Sequence, residues 1–201
     1  MNIRRLVIPL AYSLIAAFVA VGAGPSRALA QQDHTHMATL QGHDQTSEQN
    51  QAGALIKAVR EATERFQDVT AAEAAGYYLQ FGCVSGPDSG AMGMHFVNFP
   101  LVTDGLLDVT RPEIVIYEPL PNGRLRLIGA DYLVLADAWD KTHSSSPELM
   151  GQKFQQFEAP NRFGLPRFYT LHVWAWKDSP TGTFVNWNTN VSCDAFNGPT
   201  Q

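Results

Sequence analysis

Apolar residues recur at Leu55, Val59, Ala62, Phe66 and Val69, in alternating steps of four and three. That spacing puts them on one face of a helix over residues 52–66, with Lys57, Arg60, Glu61 and Glu64 largely elsewhere. Thr70-Ala-Ala-Glu73 follows as a capping-box pattern that opens a short second helix, which Gly76 can terminate. From Tyr77 onward the pattern changes to short β-rich runs at 77–81, 94–98, 113–119, 124–135, 167–176 and 183–187. Between the fourth and fifth runs, Ser146-Pro147-Glu148 reads as an N-cap, a Pro at the first helical position and an acid in the first turn. Leu149, Met150, Phe154 and Phe157 give that helix its apolar face. No repeat or linker interrupts residues 52–201. The pattern therefore predicts one α+β domain, with N-terminal helices packed on a curved, mostly antiparallel sheet.

Pro121-Asn122-Gly123-Arg124 is the sharpest local signal, because Asn-Gly suits the two positive φ values of a type I′ hairpin. In that register Glu118 faces Leu127 and Ile114 faces Asp131. Ile114, Ile116, Glu118, Leu125, Leu127, Gly129 and Asp131 then share one side of the sheet, and Val115, Tyr117, Ile128 and Tyr132 the other.

Residues 1–30 read as a secretory signal. Arg4 and Arg5 supply the positive start, residues 6–24 are almost wholly apolar, and Ala28-Leu29-Ala30 fits a small-x-small cleavage site. The adjacent arginines also raise twin-arginine export. Residues 31–51 are rich in Gln, His, Thr, Asp and Ser and are expected to form a disordered leader. His34, His36 and His43 lie there; loose metal binding is one reading and a solvated spacer the plainer one.

The whole chain of 201 residues carries a formal charge of −5. Cleavage removes three Arg and no acid, which leaves 11 basic against 19 acidic residues, a charge of −8. Such a chain is not drawn to phosphate backbones or anionic membranes, so nucleic acid is excluded and no membrane association is expected after signal removal. Cys83 and Cys193 are the two cysteines, both in the exported part, and in an oxidising compartment they most simply form one disulfide. A loop that long is worth about 4–5 kcal/mol in the chain-entropy account.

The chain has no Gly-x-Ser-x-Gly elbow, Walker loop, dinucleotide fingerprint, His-Glu-x-x-His or paired Cys-x-x-Cys. Two histidines fall inside predicted strands, His95 and His172. His172 alternates with Trp174 and Trp176, so an imidazole shares a face with two indoles, as in many small-molecule pockets. Trp174 and Trp176 are thus candidate ligand-binding residues, although packing of indoles in the core is the plainer reading. Two imidazoles and one carboxylate suit zinc, or iron with open positions. The hairpin register offers Asp131 and Glu118 as the carboxylate, about 13 Å apart along the ladder, so at most one can join a single ion. A shared ion requires the two imidazoles to lie within about 6 Å. The competing reading makes each histidine a satisfied core residue. His143 is expected in a surface loop.

Four blocks carry a resemblance: Gly90-Ala-Met-Gly-Met-His-Phe-Val-Asn98, Arg111-Pro-Glu-Ile-Val-Ile-Tyr-Glu-Pro119, Leu171-His-Val-Trp-Ala-Trp176, and Asn186-Trp-Asn188 with Val191-Ser-Cys193. Together they resemble a family of uncharacterised secreted bacterial proteins over residues 55–193. The resemblance implies a periplasmic or extracellular location and carries over no catalytic role. Two functions are expected from the residues. The first is an exported small-molecule-binding or structural module. The second is a secreted metalloenzyme, a hydrolase, lyase or oxygenase, that uses His95 and His172 with one carboxylate and a divalent zinc or iron ion.

Overall fold

The computed structural model describes residues 33–86 and 88–201, with side chains from residue 45 onward. The expected signal at residues 1–30 and the side chains of His34, His36 and His43 lie outside the described residues. The compact unit that carries everything below is Gln41–Gln201.

Helix α1 runs Asp33–Thr63 and continues as a 3-10 turn, Glu64–Gln67. It therefore takes in residues 33–51 of the polar stretch as well as the amphipathic segment. That stretch holds no Pro and a single Gly, so nothing in it breaks a helix, and residues 45–50 are exposed. The packing begins at Leu55 and Val59, both fully buried. Helix α2, Val69–Ala74, is capped by the side chain of Asp68, which accepts the Thr70 N–H, rather than by the expected Thr70 box. Helices α3, Phe99–Asp104, and α4, Ala136–Trp139, are single turns or little more.

Six strands form one curled, antiparallel half-barrel in the order β1-β2-β3-β4-β8-β7. They are β1 Tyr78–Gly86, β2 Gly90–Val97, β3 Ile114–Pro119, β4 Leu125–Leu135, β7 Gln155–Phe157 and β8 Phe168–Val173. A separate two-stranded ribbon pairs β5 Glu148–Leu149 with β6 Gln152–Lys153. One side of the sheet carries Tyr132, Val134, Tyr169, Leu171 and Val173, clustered with Leu55 and Val59 of α1. Asp131, Leu133, Thr170 and His172 alternate with them and face the other way, away from that helix.

Bulges interrupt the ladders. Between β3 and β4 the register holds at Ile114–Asp131 and Ile116–Gly129, then slips so that Tyr117 pairs Leu127 and Glu118 pairs Arg126. The expected Glu118–Leu127 pairing is corrected by this inserted Ile128. On β1, Phe81 and Gly82 are extra between Gln80 and Cys83, both at φ +67. On β2, Met92 is the extra residue beside Gly93 at φ +88. A Cβ on Gly93 would sit 2.7 Å from the Tyr117 carbonyl oxygen, so only glycine fits this bulge.

The expected helix after Ser146 is absent. Met150 and Gly151, at φ +48 and +82, turn the chain tightly between β5 and β6 instead. The expected strand at 183–187 is also absent, and the segment contributes only scattered contacts, such as Trp174 N–H to the Thr183 carbonyl. β8 ends at Val173 because the Ala175 N–H bonds back to the Val173 carbonyl, which breaks the alternation assumed through Trp176.

Cys83 and Cys193 are bonded as expected, and both are buried. The disulfide ties the C-terminal segment to β1, where Gln201 N–H reaches the Cys83 carbonyl and Ser85 N–H the Gln201 carbonyl. Among the described residues no helix is long and apolar enough to cross a membrane.

Candidate metal centre

His95 on β2 and His172 on β8 are separated in the sheet by β3 and β4. In a flat sheet three strand spacings amount to about 14 Å. The curl folds that distance up, and the two Nε2 atoms lie 3.3 Å apart, with ring centroids at 5.5 Å. The requirement for a shared ion is met. Asp131 is the direct cross-strand neighbour of His172, and its Oδ1 lies 3.4 Å from His172 Nδ1. One donor atom from each of His95, His172 and Asp131 lies within 4.8 Å of the others, and all three residues are buried.

These groups are not satisfied in the manner of ordinary core residues. Neither Nδ1 makes a well-directed hydrogen bond. Burial, and next the neighbouring His172, lowers the His95 pKa to about 4, although Asp131 and the Gly93 backbone pull the other way. Burial alone takes His172 down to about 3. Both rings are therefore neutral at pH 7. Burial raises Asp131 to about 6, moderated by the Thr170 hydroxyl, by His95 and by the Leu171 backbone. Thr170 Oγ1 donates to Asp131 Oδ1 at 2.5 Å. At pH 7 the carboxylate is mostly ionised and favours a proton on the adjacent His172 Nδ1. The Nε2 atoms face one another at hydrogen-bond distance, and a proton on each Nδ1 would turn both Nε2 lone pairs inward.

Two nitrogens at 2.0–2.1 Å from one tetrahedral ion are about 3.3–3.4 Å apart, which matches the separation found here. Asp131 Oδ1 stands against His172 Nδ1, where a carboxylate could orient and polarise an imidazole whose Nε2 is a metal ligand.

The cluster ends a cavity of about 30 Å³, walled by Phe81, Phe157, Phe163 and Phe168. That volume admits one or two waters. Phe81 and Phe163 meet edge to face at 5.4 Å, and Phe157 stacks on Phe168 at 5.1 Å. Asn186 also lines the cavity; its Nδ2 donates to Gln155 Oε1, while its buried Oδ1 has no partner.

The other sequence candidates lie elsewhere. Glu118 accepts hydrogen bonds from Lys177 Nζ at 2.6 Å, from Arg126 and from the Ser192 N–H. It stays on the Ile114–Ile116 side of β3 but lies beyond the slip, opposite Arg126 rather than Leu127. Trp174 sits beside His172 at 5.9 Å between ring centroids and donates to the Val185 carbonyl, and Trp176 donates to Thr63 Oγ1. Neither indole lines the cavity. His143 stacks on Trp139 in an exposed loop. Sequence reasoning missed Phe81, Met92, Thr170 and Asn186. Strand alternation with His172 could have found Thr170; the two bulged residues carry no periodic signal.

No family model, curated protein or solved structure matches the chain.

Proposed function

We propose that the protein is an exported metalloenzyme in which one first-row transition-metal ion sits between His95 Nε2 and His172 Nε2. It meets a small, largely apolar molecule in the phenylalanine-walled cavity. The observation that carries this reading is the 3.3 Å approach of two neutral, buried imidazole nitrogens. At that distance one ring can only share a single N–H with the other, whereas a cation between them takes both Nε2 lone pairs into bonds of ordinary length. Asp131 supplies the countercharge behind His172.

An open position supports catalysis over a purely structural ion. Structural sites close their coordination with four protein ligands, whereas catalytic sites leave room for water or substrate. Here the space beside the histidines is water-sized, and the unpaired Asn186 Oδ1 offers an acceptor to a molecule held there. Water activated by the ion gives hydrolase or lyase chemistry, and open-site iron gives oxygenase chemistry. Export is part of the proposal, supported by the signal-like residues 1–30 and by the disulfide.

Metal per chain, measured by inductively coupled plasma mass spectrometry on the exported protein, tests the reading. The expected result is near-stoichiometric metal, lost in His95→Ala and in His172→Ala and kept when His34, His36 and His43 are all replaced by Ala. If no His95-dependent metal is found after reconstitution with zinc, iron and copper, the metalloenzyme is overturned. An aromatic-walled binding module then takes its place.

A further inference from the structure

Met92 is the inserted residue of the β2 bulge. It is buried, at 3% exposure, and lines the same small cavity as His95 and His172. Its near neighbour Met94 is equally buried but does not line the cavity; it belongs to the larger hydrophobic cluster, which Met92 does not join. In an uninterrupted strand Met92 and His95 would face opposite sides, because they are three positions apart. The extra residue reverses that parity, and Gly93 at φ +88 is the backbone that allows it. The chain thus departs from regular pairing where Met92 enters the wall of the cavity that His95 and His172 also line.

We propose that the resident ion is copper, bound in its cuprous form by His95 Nε2, His172 Nε2 and Met92 Sδ. Thioether sulfur is a soft donor that favours Cu(I) over zinc or Fe(II), and imidazole suits copper equally well. Asp131 is not required in this set, which agrees with its place behind His172 at Nδ1. The apolar phenylalanine wall and the lack of a charged ligand suit a monovalent ion in a buried cavity. The inference rests on the metal reading above and narrows the ion that His95 and His172 share.

Competition titrations on the exported full chain decide it, with a chromophoric Cu(I) chelator under reductant in one series and a chromophoric Zn(II) chelator in the other. Subtracting the His95→Ala chain isolates the buried site from the N-terminal histidines. Met92→Leu keeps the bulk and removes the donor, and should weaken Cu(I) binding at least about tenfold while Zn(II) affinity stays within about threefold. Met94→Leu should change neither. X-ray absorption on the Cu(I)-loaded native chain gives a readout independent of any variant's folding, with one sulfur scatterer expected beside two imidazoles. Cu(I) bound without a sulfur neighbour, or bound equally well by Met92→Leu, overturns the copper assignment and leaves the metal reading standing. Absence of any His95-dependent ion removes the metal reading and the copper assignment together.

Discussion

Asp131 and His172 stand directly opposite each other on β4 and β8, with carboxylate oxygen and imidazole nitrogen 3.4 Å apart and almost no access to solvent. A proton favoured on Nδ1 by that carboxylate would leave Nε2 free, and so set which way the site faces. Asp131→Asn keeps the shape and the Thr170 hydrogen bond but removes the charge that favours Nδ1–H. Metal affinity should fall about 10–100-fold while the fold is retained. A competition titration together with a thermal melt checks this, and an unchanged affinity would show that the carboxylate has no electrostatic role.

Glu118 offers the opposite case. Burial would raise its pKa, but Lys177, Arg126 and the Ser192 N–H outweigh it and hold the carboxyl below the usual range. Glu118→Gln leaves Lys177, whose side chain is mostly buried, without its counterion. Removing one partner of a fully buried pair costs about 3–5 kcal/mol, and solvent access here reduces that to about 2–3 kcal/mol. Urea unfolding should show the loss. Metal content should stay at the native level, and a fall in it would bring Glu118 back as a ligand.

Glu113 is buried, accepts the Leu133 N–H at 3.0 Å, and is pushed by burial to about 8, with Asp131 and Asp104 adding to the rise against its own and the Leu133 backbone N–H groups. The native carboxyl keeps its proton well above the unfolded value of 4.5. Its contribution to stability is therefore complete below pH 4.5 and is lost as pH rises through 8. Glu113→Gln removes that dependence. The stability of the variant relative to the native chain should climb between pH 5 and about 8, by at most about 1.4 kcal/mol per unit, and level off above. Parallel pH profiles for the two chains would contradict the buried, protonated Glu113.

Gly129 lies where β4 passes closest to the end of β8, and a Cβ there would meet the Val173 carbonyl oxygen at 2.4 Å. Gly129→Ala must push β8 away, at a cost of about 1–3 kcal/mol, and His172 moves with it. Metal binding should weaken along with stability. Gly53→Ala, in α1 with no atom within 4 Å of the new methyl, should leave binding unchanged and stabilise the chain slightly. Equal effects from the two substitutions would mean that the β4–β8 approach does not set the site.

Much of this was legible in the chain because alternation is a local signal. Leu55 and Val59 announced the helix face, Asn122-Gly123 the hairpin, and Ile114 opposite Asp131 the correct register near the site. Leu127 was wrongly set opposite Glu118 because a single inserted residue, Ile128, shifts every β4 position on its N-terminal side. The stretch from Glu148 to Phe157 was misread as a helix because short strands joined by a tight turn can also place apolar residues three and four apart. What marks the difference is Gly151, which holds a positive φ. Met92 and Phe81 were invisible for the same reason as Ile128: a bulge follows no period, and its residues face where pairing across the sheet sends them.

The curl of the half-barrel gives the centre a long-range character. Its two imidazoles are 77 positions apart in the chain, and neither hairpin alone can bring them together. An ion gripping both would therefore hold only molecules in which β2, β3, β4 and β8 have all assembled, and its affinity would add to global rather than local resistance to unfolding. With an ion bound, such a centre would act as a late checkpoint, in which capture of the ion reports that the sheet has closed.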